Sequence, residues 1–188
     1  RAEGSVPVMI GDAQAAMRQA FVHGGPGAIV SSLVWFAAAL ALSRTDHATA
    51  FTVLFVGGIL IFPVSAWIAK APFHRSASAA GNPLGLLPLE STIAMIGCLL
   101  AAWLLLRHDP QFAFPVAAIA VGTHYLPFKT TYGDRTYWLL GAVLTVIGCA
   151  GIFMVAGQTM AVILGVAAAE LIFGIALTLA GVKAATAK

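Results

Sequence analysis

Six apolar runs, separated by short polar breaks, make up most of the chain. They cover about Pro26–Leu42, His47–Ala69, Leu84–Leu106, Phe112–Phe128, Thr136–Gly157 and Thr159–Val182. Each comes close to the roughly 17–25 residues a helix needs to cross a bilayer core. Helices are required because lipid offers no partner to a free backbone amide or carbonyl. The first and fourth runs are the shortest and are predicted to be the least tilted, or to sit where the membrane thins. Ahead of the runs, Met9, Ala13, Met17 and Ala20 recur at helical spacing with Asp12, Gln14, Arg18 and Gln19 between them. That pattern predicts a short amphipathic helix on the membrane surface. Gly24-Gly25 ends it, and Pro26 suits the first turn of a new helix. The pattern therefore predicts an all-α polytopic membrane protein with six transmembrane helices. Its parts are a tail and surface helix over 1–25, a bundle over 26–183 and a tail over 184–188.

The N-terminal stretch lacks the charged, apolar and small-residue segments of a secretory signal in order. Met9 reads as an initiator, with Arg1–Val8 as the remnant of a longer start.

Composition supports the membrane class. The chain is 60% hydrophobic and 9% charged, against about 25% charged in an average soluble domain, and its mean hydropathy is +0.94. A soluble domain of this size has too much surface for its volume to hide so much apolar area. Charge then sets an orientation. With six crossings, the side of the termini holds Arg1, Arg18, Lys70, Arg75, Lys129, Arg135, Lys183 and Lys188, and the other side holds Arg44 and Arg107. Under the positive-inside rule both termini are cytoplasmic. The pI near 9.1 then reflects loop charge, and no nucleic-acid partner is expected. Cys98 and Cys149 lie within apolar runs and read as small buried hydrophobes. Trp35, Trp67, Trp103 and Trp138 lie mostly toward run ends, as interfacial anchors do.

Away from the run ends, the acidic and basic side chains inside the runs are Glu90, His124 and Glu170. Each needs a partner or a wet cavity, because an ionised acid in hydrocarbon costs about 2.5–3.5 kcal/mol on insertion scales. Glu90 lies about 9 Å into the third run and His124 about 6 Å from the end of the fourth, on the same side. Ser31, Ser32, Ser65 and Thr178 fall at similar depths, and Thr123 beside His124 joins the candidate binding residues. The expected site is a cytoplasm-facing polar pocket in which these residues and Glu170 bind a small solute or relay a proton. Pro63 and Pro88 are expected to loosen their helices beside it. Arg75, Lys129 and Arg135 could hold an anionic lipid headgroup. Two other readings stand beside this one: a non-catalytic subunit of a larger membrane complex or homo-oligomer, and a membrane-embedded lipid enzyme. No catalytic residue, metal or cofactor is assigned. The His23-Gly24-Gly25-Pro26-Gly27 turn lacks the G-x-S-x-G elbow that would make it part of a hydrolase.

Gly57-Gly58-Ile59 with Phe62-Pro63-Val64-Ser65, Asn82-Pro83-Leu84, and Gly122-Thr123-His124-Tyr125-Leu126-Pro127-Phe128 with Tyr132-Gly133 resemble a bacterial family of small multispan membrane proteins of unknown function. The likeness covers roughly 24–145. It implies a bacterial integral membrane protein and brings no activity with it. Glutamine often stands at the Glu90 position in that family, so the resemblance does not imply a carboxylate there.

Overall fold

A computed structural model describes residues 9–75, 81–154 and 157–186, and the expected remnant at 1–8 lies outside them. The described residues are helical, with no strand among them. The helices are α1 (Ile10–Ala20), α2 (Gly25–Leu42), α3 (His47–Lys70), α4 (Leu86–Leu105), α5 (Ala113–His124), α6 (Phe128–Tyr132), α7 (Thr136–Phe153) and α8 (Thr159–Thr186). Five of them, α2, α3, α4, α7 and α8, are long and apolar enough to cross a membrane.

The fourth apolar run differs from expectation. It forms a 12-residue helix, α5, about 18 Å long at 1.5 Å per residue. Pro110 opens the turn before it, and the chain after it turns through Tyr125–Pro127 into α6. Eight of its residues, from Ala113 to Gly122, are buried. A helix sheathed by its neighbours need not span the hydrocarbon, because irregular backbone beyond its ends is sheltered by protein.

Small residues set which helices touch. A methyl at Gly122 of α5 would lie 2.7 Å from Thr145 N and 2.8 Å from Gly141 O of α7. On the other side, Gly174 of α8 admits the Ile29 backbone of α2, and Gly181 admits Val22. These two close pairs, α5–α7 and α2–α8, build the bundle, as small residues do where lipid gives no drive to associate. α3 packs on α2, and α4 packs on α5. Along most of their length α3 and α4 hardly touch each other. They meet at the end remote from α1, where Phe51 and Phe55 of α3 set their rings edge-on to Trp103 of α4, at 5.6 and 5.2 Å.

α1 docks on the opposite end. Its apolar stripe, Ala13, Met17 and Ala20, is buried. Its polar side is tied to the bundle: Gln14 Nε2 donates to Thr130 O at 2.8 Å, Arg18 donates to Tyr132 O, and Asn82 Nδ2 donates to Ala13 O at 2.9 Å. The chain then passes through left-handed backbone at Val22, His23 and Gly24. Tyr137 holds that turn by donating from its hydroxyl to His23 O at 2.6 Å.

Four local expectations need correction. Trp35 is 1% exposed, packed near Phe114, and is no interfacial anchor. Cys98 is exposed and Cys149 half-buried, because the faces they occupy on α4 and α7 turn outward. Pro88 falls in the first turn of α4, where a helix lacks an internal amide partner anyway, so it loosens nothing. α8 continues to Thr186, past the expected end of the last span at Val182 and into the expected tail.

Candidate functional site

Because α3 leans on α2 and α4 leans on α5, a wedge-shaped cleft opens between the two pairs. Its volume is about 710 Å³, within the roughly 300–1,000 Å³ of small-molecule sites. The aromatic contacts of Trp103 lie at its narrow end. Met17 and Phe21 of the α1 segment line it at the other end, with Asn82 and Tyr132. Phe62 on α3 and Leu86 on α4 stand at its rim, 70% and 61% exposed. Most of the wall is apolar. Among the described residues no Asp, Glu, Lys or Arg lines it.

The polar groups on the wall are few. Ser31 and Trp35 face it from α2, Ser65 from α3, Thr92 from α4, and His124 and Tyr125 from the end of α5. Behind Tyr125 lies Glu170 of α8, with no exposed surface. The Tyr125 hydroxyl donates to Glu170 Oε1 at 2.9 Å. Ser31 stands beside the same carboxyl, whose Oε2 has no hydrogen-bond partner. The small side chains of the α2–α8 seam let Glu170 reach this wall. Around Tyr125, the rings of Phe128, Tyr132 and Tyr137 form a packed aromatic group, with Tyr132 and Tyr137 stacked at 5.3 Å. Tyr132 lies outside the five long spans, and burial raises its phenol well above the usual range.

His124 bonds to α4 through Ser91. The Ser91 hydroxyl lies 2.8 Å from His124 Nδ1 and 2.8 Å from His124 O. That hydroxyl has one proton and donates it to the carbonyl. Nδ1 then donates to Ser91 Oγ, and a neutral ring keeps its lone pair on Nε2.

The expected site residues are divided between places. Ser31, Ser65 and His124 line the cleft, and Glu170 sits behind its wall. Glu90 is exposed and lines a separate, shallower cavity of about 310 Å³ between α4 and α5, shared with Thr123 and His124. Ser32 is buried and donates to Ile29 O at 2.8 Å. The three basic candidates do not converge. Arg75 donates to Gly181 O at 3.3 Å, Lys129 Nζ sits 4.9 Å over the Trp138 ring, and Arg135 is exposed at the start of α7. Among the described residues no group of His, Cys, Asp and Glu is arranged to hold a metal. Tyr125, Ser91, Trp35 and Thr92 were not expected at the site from the sequence. Tyr125 lies next to His124 in the motif, and Ser91 next to Glu90. One step along a helix turns a side chain by about 100°, so only the packing decides which neighbour faces the site.

A family described as "Family of unknown function (DUF7010)" matches residues 10–180. No curated protein and no solved structure matches the chain.

Proposed function

The chain belongs to that family of unknown function, and from the geometry of its cleft we propose that it is a membrane protein that holds an uncharged amphiphile drawn from the bilayer. The apolar body lies between α3 and α4, and the polar group rests against Ser31, Tyr125 and His124. The observation that carries this reading is the apolar cleft itself, open where α3 and α4 part and with no Asp, Glu, Lys or Arg on its wall among the described residues. An ionised ligand would lose its hydration there with no counter-charge in return. A proton relay from Glu90 through His124 to Glu170 has less support. Glu90 belongs to the shallower cavity, His124 is bonded to Ser91, and Tyr125 stands between the cleft and Glu170.

The same reading takes the chain through six crossings of a bacterial inner membrane, with α5 as the short, sheathed fourth crossing and both termini cytoplasmic. The eight-to-two division of Lys and Arg supports that orientation.

Gly58 gives the test. It lines the cleft, and a Cβ there meets nothing within 4 Å, so Gly58→Phe fills the space without displacing backbone. Protein purified in mild detergent is extracted with solvent, and neutral lipids are identified by mass spectrometry. The wild type is expected to carry a neutral amphiphile enriched over the bulk membrane extract, and Gly58→Phe to lose it. Equal lipid content in the two proteins would sink the reading.

A further inference from the structure

We infer that the polar group selected by the cleft is a hydroxyl; this rests on the cleft holding an uncharged amphiphile. The argument is a count of hydrogen-bond donors and acceptors on the wall. Tyr125 spends its proton on Glu170. Ser65 spends its proton on Phe62 O at 2.9 Å, and Thr92 on Pro88 O at 2.7 Å. The Nδ1 proton of His124 goes to Ser91. Ser31 stands beside the Glu170 carboxyl, and its hydroxyl is free to donate or accept. With their protons spent elsewhere, Tyr125, Ser65, Thr92 and His124 offer the cleft oxygen and nitrogen lone pairs.

One donor balances them near the inner wall. Trp35 lines the cleft one helical turn from Ser31, and its indole N–H makes no hydrogen bond to another described residue. The Tyr132 phenol and the second amide proton of Asn82 lie at the α1 end. A ligand group seated against Tyr125 and Trp35 must therefore donate to the Tyr125 oxygen and can accept from the indole. A hydroxyl does both. An ether or ketone oxygen only accepts, and would set its lone pairs against that of Tyr125. A site built to pair with a hydroxyl discriminates strongly against an analogue lacking it, because its buried polar groups are left unmatched. A carboxylate or phosphate would meet acceptors and no cation. The ligand class is accordingly a long-chain or isoprenoid alcohol, or another neutral lipid with a free hydroxyl.

The test uses the full chain in detergent with Trp67, Trp103 and Trp138 replaced by Phe, so that fluorescence reports Trp35 alone. Quenching is titrated with 2-bromododecan-1-ol, with its methyl ether and with 2-bromododecanoate, in which the bromine lies beside the polar group and so near Trp35. The same titration on Gly58→Phe gives the contribution of micelle partitioning. The alcohol is expected to bind about ten-fold more tightly than the ether, equivalent to about 1.4 kcal/mol, and the carboxylate more weakly still. Ser31→Ala and Tyr125→Phe are each expected to bring the alcohol-to-ether affinity ratio down toward one. Circular dichroism melts check that each variant is folded. If alcohol and ether bind equally and Gly58→Phe abolishes both, the cleft reading stands and the hydroxyl inference is overturned. If no probe quenches beyond the Gly58→Phe control, both fall.

Discussion

The Tyr125 hydroxyl and the Glu170 carboxyl meet at 2.9 Å, and Glu170 has no exposed surface. This contact joins the end of the short central helix α5 to the middle of α8. Breaking it leaves a buried acid with no partner on either oxygen, apart from the approach of Ser31. Tyr125→Phe is expected to lower stability by about 1–3 kcal/mol. A double-mutant cycle with Glu170→Leu should show a coupling of about 0.5–3 kcal/mol, because residues in direct contact are not additive. Reversible unfolding in mixed micelles measures it. A coupling near zero would mean the hydrogen bond contributes nothing to the bundle.

Glycines divide into two classes with opposite expected effects. At Gly122 a methyl group runs into the Thr145 and Gly141 backbone, whereas at Gly58 and Gly97 it meets open space. Gly122→Ala forces α5 from α7 and should cost about 1–3 kcal/mol, in the range of overpacked cores. Gly58→Ala should be neutral or stabilising by up to about 1 kcal/mol, since Gly in a helix interior carries an entropic penalty. Melting temperatures in one detergent compare them directly, and a loss of similar size at both positions would refute the packing scheme.

The helical class, the apolar runs and the break at Gly24-Gly25 were legible in the chain because each depends on local spacing. The interior surfaces were not. His124 was found because a histidine within an apolar run stands out, but its partner Ser91 is ordinary in sequence, and the conspicuous neighbour of Ser91, Glu90, meets His124 only at the shallower cavity and not in the cleft. Trp35 looked like an anchor because it lies toward the end of its run. Which face it presents depends on Phe114, 79 positions away. The cleft arises from α3 and α4 choosing different neighbours, a preference spread over many small residues with no motif. The length of α5 was hidden because the apolar run continues through the turn at Tyr125–Pro127.

α1 is held to the bundle by its polar side as well as by its apolar stripe. Replacing both Gln14 and Arg18 by Ala removes the bonds to Thr130 and Tyr132. Amide hydrogen exchange over Ile10–Ala20 is expected to speed up at least about ten-fold, with α7 and α8 unchanged, because local opening is independent of the global unit. Unchanged protection in α1 would show that Ala13, Met17 and Ala20 hold it alone.

At the other end, Asp46 caps α3. Its carboxylate accepts from Thr49 N at 2.9 Å, and that backbone bond is the main reason its pKa lies below the usual carboxylate range. A depressed pKa means the ionised acid stabilises the folded cap. The contribution is present above the unfolded value, about 3.9, and is lost as pH falls through the lower folded value. Asp46→Asn keeps a capping oxygen and removes the titration. Exchange at the first turn of α3 should rise on acidification from pH 5 toward pH 3 in the wild type and show less pH dependence in Asp46→Asn, after correction for intrinsic rates. Identical pH profiles would contradict the role of the ionised carboxylate.

The short central helix makes the number of crossings a question of side. α5 is about 18 Å long against a hydrocarbon core of about 30 Å, yet its buried position lets it join loops on opposite faces without touching lipid along its length. If it does so, His108 before it and Arg135 after it lie on opposite sides of the membrane. Variants with Cys98 and Cys149 replaced by Ala then carry one new cysteine each, at Arg44, Lys70, His108 or Arg135. A membrane-impermeant maleimide added to intact cells is expected to label Arg44→Cys and His108→Cys. Lys70→Cys and Arg135→Cys should react only after the membrane is opened. Labelling of His108→Cys and Arg135→Cys from the same side would make α5 a re-entrant segment and reduce the crossings to five. The eight-to-two charge asymmetry would then lose its basis, since α7 and α8 would reverse direction.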